Sequence, residues 1–300
     1  MNIPFRNFIA YIYSCYLIFS GKLKTIQKKC ANGEMILSVY FHNPSKKLFN
    51  QCVKWFIDNK YNFISTEELR KIISEKRTFP KSAVVFTVDD GWKENKENIF
   101  SITQKYDIPI TLFASTQTIE TKGQFWWTII AKSRKDILKN KKVENLKTVP
   151  NVVRMQKVNQ AVKGLINESD AMTIDELIEL SRNGNIYIGS HTVTHPILPM
   201  CNNHEAWNEI LQSKLTLQNW LNRSVNQFAY PNGDFTAREC ELLKKAGYSI
   251  AFTTNPIYID KSNPIDLFQI PRFGVVDNIS FTENLCRMTG IWYQRKKYKK

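Results

Sequence analysis

"AVVFTVDDG", residues 83–91, is an apolar run of strand length that ends on two adjacent carboxylates and a glycine. Buried side by side, Asp89 and Asp90 should repel each other. At the C-terminal rim of a β/α barrel, where strand ends carry catalytic groups, neighbouring side chains diverge, so one carboxylate can face a cation and the other the reaction centre. A divalent cation also offsets the repulsion. Taken alone, Asp89-Asp90-Gly91 reads first as an Asp-Gly turn.

Around this stretch the same rhythm repeats. "MILSVYF" (35–41) predicts a strand, and after it Leu48, Phe49, Cys52, Val53, Phe56 and Ile57 make one helical stripe. Further strands are predicted at "IPITLFA" (108–114), "IYIGS" (186–190), "NQFAY" (226–230), "SIAFTT" (249–254) and "DLFQI" (266–270), with a weaker one at "YNFIS" (61–65). Ser65 with Glu68, Thr173 with Glu176, Thr236 with Glu239 and Ser280 with Glu283 are spaced as capping boxes and mark helix starts. Strands alternating with helices fit a closed or nearly closed β/α barrel, with an open doubly wound sheet as competitor. The chain has no glycine-rich nucleotide loop, which removes the usual cofactor of the open sheet. Between residues 120 and 171 the alternation stops in a lysine-rich stretch. We read it as an insertion over one face, either shaping the substrate site or decorating the surface.

The 300 residues, 43% of them apolar with 7 Trp and 18 Phe, suffice for a large core. The net charge of +15 gathers at the ends: no acid precedes Glu34, and residues 293–300 form a basic tail. No zinc knuckle, RNA-binding signature or helix-turn-helix supports a nucleic-acid partner. The six cysteines form no C-x-x-C pair and require no oxidising compartment. Within residues 1–33, "NFIAYIYSCYLIFSG" (7–21) is shorter than the ~20 residues that span a bilayer. We expect a peripheral helix on the cytoplasmic face of a membrane, anchored by tyrosines and a basic flank, with an exported or signal-anchored form as the alternative.

"YIGSHTVTHP" (187–196) places His191 and His195 four apart after a strand, in a chain with 4 His. One helical turn would put both imidazoles on one face. Two histidines and one carboxylate suit zinc or another divalent transition metal with positions left for water and substrate.

"FTVDDG" (86–91), "SHTVTHP" (190–196) and "FAYPNG" (228–233), in this order, resemble the successive motifs of the polysaccharide deacetylase family, the NodB-homology or carbohydrate esterase family four group. The resemblance runs from about Ile36 to Ile291 and includes "MTIDELIELSRNGNIYIGSHT" (172–192). It implies an irregular (β/α) barrel of about seven strands, a single catalytic domain over residues 34–292, and metal-dependent removal of acetyl groups from sugars. By the same resemblance Asp90, His191 and His195 match the metal ligands, for Zn first and Co, Ni or Mn otherwise. Asp89 matches the general base, and the N–H of Asn232, after Pro231, helps hold the oxyanion; Tyr230 belongs to the same turn and contacts substrate or only shapes the turn.

Two departures stand out. Ala229 replaces the arginine that often orients the base, and Arg272 in "IPRFG" (270–274) is the candidate to pair with Asp89 instead. No histidine follows His204, so the late leucine-leucine-histidine motif is absent and His42 becomes the candidate general acid. Trp126 and Trp127 either stack on a sugar or pack the insertion. The expected substrate is an acetylated cell-surface polysaccharide or its lipid-linked precursor, N-acetyl before O-acetyl or formyl. A glycan-binding protein without turnover is the reading from another class.

Overall fold

The computed structural model describes residues 5–133, 139–162 and 168–298, and the backbone alone at 139–142, 162 and 295–298. Most of the basic tail expected at 293–300 therefore lies outside the described side chains.

The strands are β1 (Met35–Phe41), β2 (Asn62–Phe63), β3 (Ala83–Asp90), β4 (Ile110–Ala114), β5 (Ile186–Ser190), β6 (Gln227–Ala229), β7 (Ile250–Phe252), β8 (Ile259–Asp260) and β9 (Phe273–Gly274). The helices are α1 (Phe5–Phe19), α2 (Lys22–Ala31), α3 (Lys46–Asp58), α4 (Thr66–Ser74), α5 (Ser101–Tyr106), α6 (Thr116–Glu120), α7 (Trp126–Lys132), α8 (Lys139–Lys147), α9 (Asn151–Val162), α10 (Ile174–Ser181), α11 (Asn203–Leu221), α12 (Ala237–Lys245) and α13 (Phe281–Met288). Strands pair in the order β7-β6-β5-β4-β3-β1, every pair parallel. That order never reverses, whereas a doubly wound sheet turns on a switch point. The chain is an irregular (β/α) barrel rather than an open sheet.

One short segment draws the two sheet edges together. Ile270 bridges Phe252 at the end of β7, and three residues later Phe273 and Gly274 pair with Val39 and Tyr40 of β1. β8 adds antiparallel to the start of β1, and β2 parallel to the start of β3. "DLFQI" is not a strand. Asp266 accepts the N–H of Phe268 on its side chain and that of Gln269 on its carbonyl, an Asx turn that competes with extended pairing. Only its last residue, Ile270, forms a strand bridge, while the Leu267 carbonyl accepts the N–H of Ala251 in β7.

Period-two alternation sorts the strand side chains. Leu37, Val39 and Phe41 with Val84, Phe86 and Val88 face outward onto the helices, where α3 buries Leu48, Phe49, Cys52, Val53 and Phe56. Ile57, at the edge of the expected stripe, is exposed. Ile36, Val85, Phe113, Ala229 and Phe252 fill the interior. The floor of the barrel is polar, with Thr66 hydrogen-bonded to Thr111 and Gln227. Gly189 of β5 is fixed by this interior, because a Cβ there would come within 2.6 Å of the Phe113 ring.

The caps follow chemistry with two exceptions. Thr173–Glu176 and Thr236–Glu239 form complete capping boxes, as does Asn202–Glu205, whose asparagine escapes a Ser/Thr search. Ser65 and Ser280 cap only the backbone amide three residues on. Glu283 does not reach back, since Arg6 and Arg287 occupy its carboxylate.

Candidate metal centre

Asp89 and Asp90 do diverge, through the backbone at their junction. Asp90 has φ 76° and Gly91 φ 94°, both left-handed, with the Gly91 N–H bonded to the Asp89 carbonyl at 3.0 Å. Asp89 continues the inward row of Thr87, while Asp90 turns toward the end of β5. Both are buried.

Asp89 meets Arg272 in a two-pronged pair, Nη1 to Oδ1 at 2.7 Å and Nη2 to Oδ2 at 2.8 Å. The guanidinium also donates to Thr87 Oγ1 and to the Thr253 carbonyl, each at 2.9 Å, and lies over the Tyr40 ring at 4.6 Å. Burial alone would raise the Asp89 pKa, but Arg272 and then His191 hold it below the ordinary carboxylate value. The pair expected from "IPRFG" is therefore present, and the segment that closes the barrel delivers it.

Asp90, His191 and His195 converge. One ligand atom from each lies within 4.8 Å of the others, all three residues buried. Asp90 Oδ2 accepts the Trp92 indole N–H at 2.9 Å. Oδ1 is buried with no hydrogen-bond donor among the described residues, and faces His191 Nε2 at 3.5 Å and His195 Nε2 at 3.4 Å, longer than charge-assisted hydrogen bonds. His191 Nδ1 lies 2.8 Å from the Ala229 carbonyl. A carbonyl only accepts, so Nδ1 carries the proton and the neutral ring turns a lone pair toward Asp90. Burial works against a charged His191, yet Asp90 and Asp89 carry its pKa net upward, so a proton competes for the gap. Burial above all pushes His195 down to about 3, which keeps that ring neutral. A carboxylate oxygen and imidazole lone pairs held together repel unless something positive sits between them. This donor set fits a divalent transition metal.

The histidine spacing does not work as expected. Residues 191–196 form a loop, not a helical turn, in which Thr192 (φ 69°) and His195 (φ 53°) are left-handed. A side chain absent from the sequence reading holds it: the carboxylate of Glu209 on α11, itself buried, accepts the N–H groups of Val193 and Thr194, each at 2.9 Å, and the Thr194 hydroxyl at 2.6 Å. Nothing near Glu209 in the sequence signals this. Trp92, directly after Asp-Asp-Gly, could have been suspected from its position.

The described parts of the lysine-rich stretch 120–171 abut the site. Its ends are pinned to the Asp-Asp-Gly loop by the Trp92–Ala171 bridge and by Asp170, whose carbonyl accepts from Lys93 and whose carboxylate accepts from the Phe125 N–H. Trp126 is buried and donates to the His195 carbonyl, and Arg154 stacks on it. Trp127 is half-buried with its ring 4.5 Å from His195.

The remaining candidates lie on the same rim. His42 is exposed, edge-on to Tyr40 at 5.4 Å. Pro231–Gly233 makes a tight turn after β6, with Asn232 left-handed at φ 59°. Gly233 (φ 79°) is required there, since a Cβ would reach 2.0 Å from Thr254 Oγ1. The Tyr230 side chain is fully buried, its hydroxyl donates to the Phe268 carbonyl and its N–H to the Phe252 carbonyl, contacts that shape the turn.

Comparison with known proteins supplies the family and the fold. A family model described as polysaccharide deacetylase matches residues 76–251, more than half of the chain. A curated relative from Bacillus subtilis (strain 168), YxkH, named as a candidate polysaccharide deacetylase, is 22% identical over 211 residues. The match takes in 70% of this chain but 58% of that relative's length. Two solved structures share the fold at low identity. The Streptococcus pyogenes deacetylase PplD in complex with acetate is 20% identical with a TM-score of 0.60, covering 85% of this chain and 97% of its own. IcaB from Ammonifex degensii is 17% identical with a TM-score of 0.60, covering 86% and 98%.

Proposed function

The chain belongs to the polysaccharide deacetylase family, and on that premise we propose that it hydrolyses acetyl groups from a cell-surface glycan or its lipid-linked precursor, using a divalent cation, Zn first, held by Asp90, His191 and His195. The observation that carries this reading is Asp90 Oδ1, buried without a donor among the described residues and facing Nε2 of an imidazole that already donates through Nδ1. When bound, the cation supplies Lewis acidity, lowering the pKa of a water and polarising the acyl oxygen.

This chain's own groups do the rest. Arg272 keeps Asp89 ionised and fixes its plane, so Asp89 can accept the water's proton at neutral pH. Ala229 in place of the family's arginine therefore leaves the base oriented, from the residue before β9 instead of from β6. The N–H of Asn232 meets the charge that grows on the acyl oxygen. His42 protonates the departing amine, a role its exposed place on the rim allows. Trp127, half-buried against His195, offers a ring to a sugar face.

The test is metal content and acetate release measured on the same preparations across a panel of N-acetyl, O-acetyl and N-formyl glycans. We expect Asp90→Asn to lose metal and turnover, and Asp89→Asn to keep metal and lose turnover. Equal metal loss in both variants contradicts the division of roles. Glycan binding without acetate release in any metal assigns the chain to binding instead.

A further inference from the structure

We propose that α1 and α2 dock this protein on an anionic bilayer surface, with the mouth of the barrel at the membrane's edge. The helix α1 is apolar on the wrong side for water. Phe5, Phe8, Ile9, Ile12, Tyr16 and Phe19 are all at least half exposed, up to 88% for Phe19, while the face turned to the protein buries Ala10, Ser14 and Leu17. At about 100° per residue the six exposed side chains fall within roughly 100° of arc, opposite the buried three. A helix settled against its own domain in water alone would bury the phenylalanines and expose the serine.

The stripe is not waiting to fold back. Arg6 grips Glu283 of α13 through both guanidinium ends at 2.7 and 2.9 Å, and Asn7 Nδ2 donates to the Asn278 carbonyl at 3.0 Å. Further along, Cys286 Sγ reaches the Ser14 carbonyl at 3.5 Å and Tyr13 packs edge-on to Trp292 at 5.5 Å. Among the described residues no helix is long and apolar enough to cross a membrane. A stripe of this shape lies in the interface instead.

Charge selects the occupant. Residues 1–33 contain Arg6, Lys22, Lys24, Lys28 and Lys29 and no acid. Lys24 and Lys28, on the face of α2 opposite its buried Leu23, Ile26 and Cys30, are exposed. Anionic headgroups answer this charge, whereas a second copy would bring basic flank against basic flank. The stripe starts at the barrel mouth: Asn278, which holds Asn7, follows Asp277, whose carboxylate takes the N–H and hydroxyl of Ser45 in the loop after His42. Docking stands apart from the chemistry. Only its consequence, that substrate is met near the bilayer as a lipid-borne glycan, rests on the deacetylase reading.

The experiment is flotation of the full chain with vesicles of phosphatidylcholine, with and without about 30% phosphatidylglycerol. We expect it to float with anionic vesicles, weaken with salt, and bind at least about tenfold less as Phe8→Asp/Ile12→Asp. Circular dichroism and acetate release from a soluble acetylated oligosaccharide should be unchanged in that variant. Failure to float with anionic vesicles, or equal flotation of a folded variant, overturns the proposal. So does a wild-type dimer in solution that the variant dissolves, which gives the stripe to a second copy. Loss of acetate release in a variant that still floats would count against the site and leave the docking intact.

Discussion

Replacing Arg272 by methionine exposes how much of this barrel rests on one ion pair. Arg272 is fully buried and Asp89 is 2% exposed, so solvent screening gives neither any relief. Methionine fills similar space but removes both bonds to Asp89 and those to Thr87 and the Thr253 carbonyl. Breaking a buried pair by deleting one partner costs about 3–5 kcal/mol, because the survivor is left charged and dry. For 300 residues, an unfolding entropy of roughly 2.1 cal/mol/K per residue gives about 0.6 kcal/mol/K at the midpoint, so Tm should fall by about 5–8 °C. The assay is thermal unfolding followed by circular dichroism at neutral pH, run beside Arg272→Met/Asp89→Leu. Removing the stranded carboxylate as well should recover most of the loss, since an apolar replacement of a whole buried pair is often neutral. A single variant that shifts Tm by less than about 2 °C, or a double no more stable than the single, would refute the reasoning.

Glu209→Gln keeps one acceptor for three donors of the histidine loop and should weaken metal binding about 10- to 100-fold with the fold intact, read by competition with a chelator; undiminished affinity removes Glu209 as the loop's anchor. Trp92→Phe deletes the indole N–H on Asp90 Oδ2, and roughly tenfold weaker metal binding is expected in the same competition. His42→Ala should lower turnover about 10²- to 10⁴-fold on an amide while sparing an activated ester; equal effects on both leaving groups exclude it as the acid. Chelation should abolish acetate release, and added zinc should restore it; activity that survives complete metal removal sinks the metal reading.

The parts of the site carried by contiguous motifs were legible in the sequence, because short-range chemistry writes them there. Asp-Asp-Gly at a strand end forces two carboxylates apart within three residues, and the two histidines sit four apart. Their convergence was readable even though its means was not: a helical turn was expected, and a loop with two left-handed residues does the work. The Arg272–Asp89 pair was reachable only by asking what could replace an arginine missing at Ala229. The strand expected at "DLFQI" failed because a local Asx turn outbids a weak apolar pattern.

Periodicity and residue chemistry thus set the alternation of strands and helices, the inward and outward faces of β1 and β3, and the identities of the metal-ligand candidates. Those are properties of neighbours in the chain, and neighbours are visible in a string of letters. Glu209 under the histidine loop, the Ala229 carbonyl that fixes the His191 tautomer, Trp127 against His195, and the exposed phenylalanines of α1 came from long-range packing. Each depends on which segments meet after the barrel closes, and a side chain's charge state, tautomer and exposure are set by the groups that surround it there.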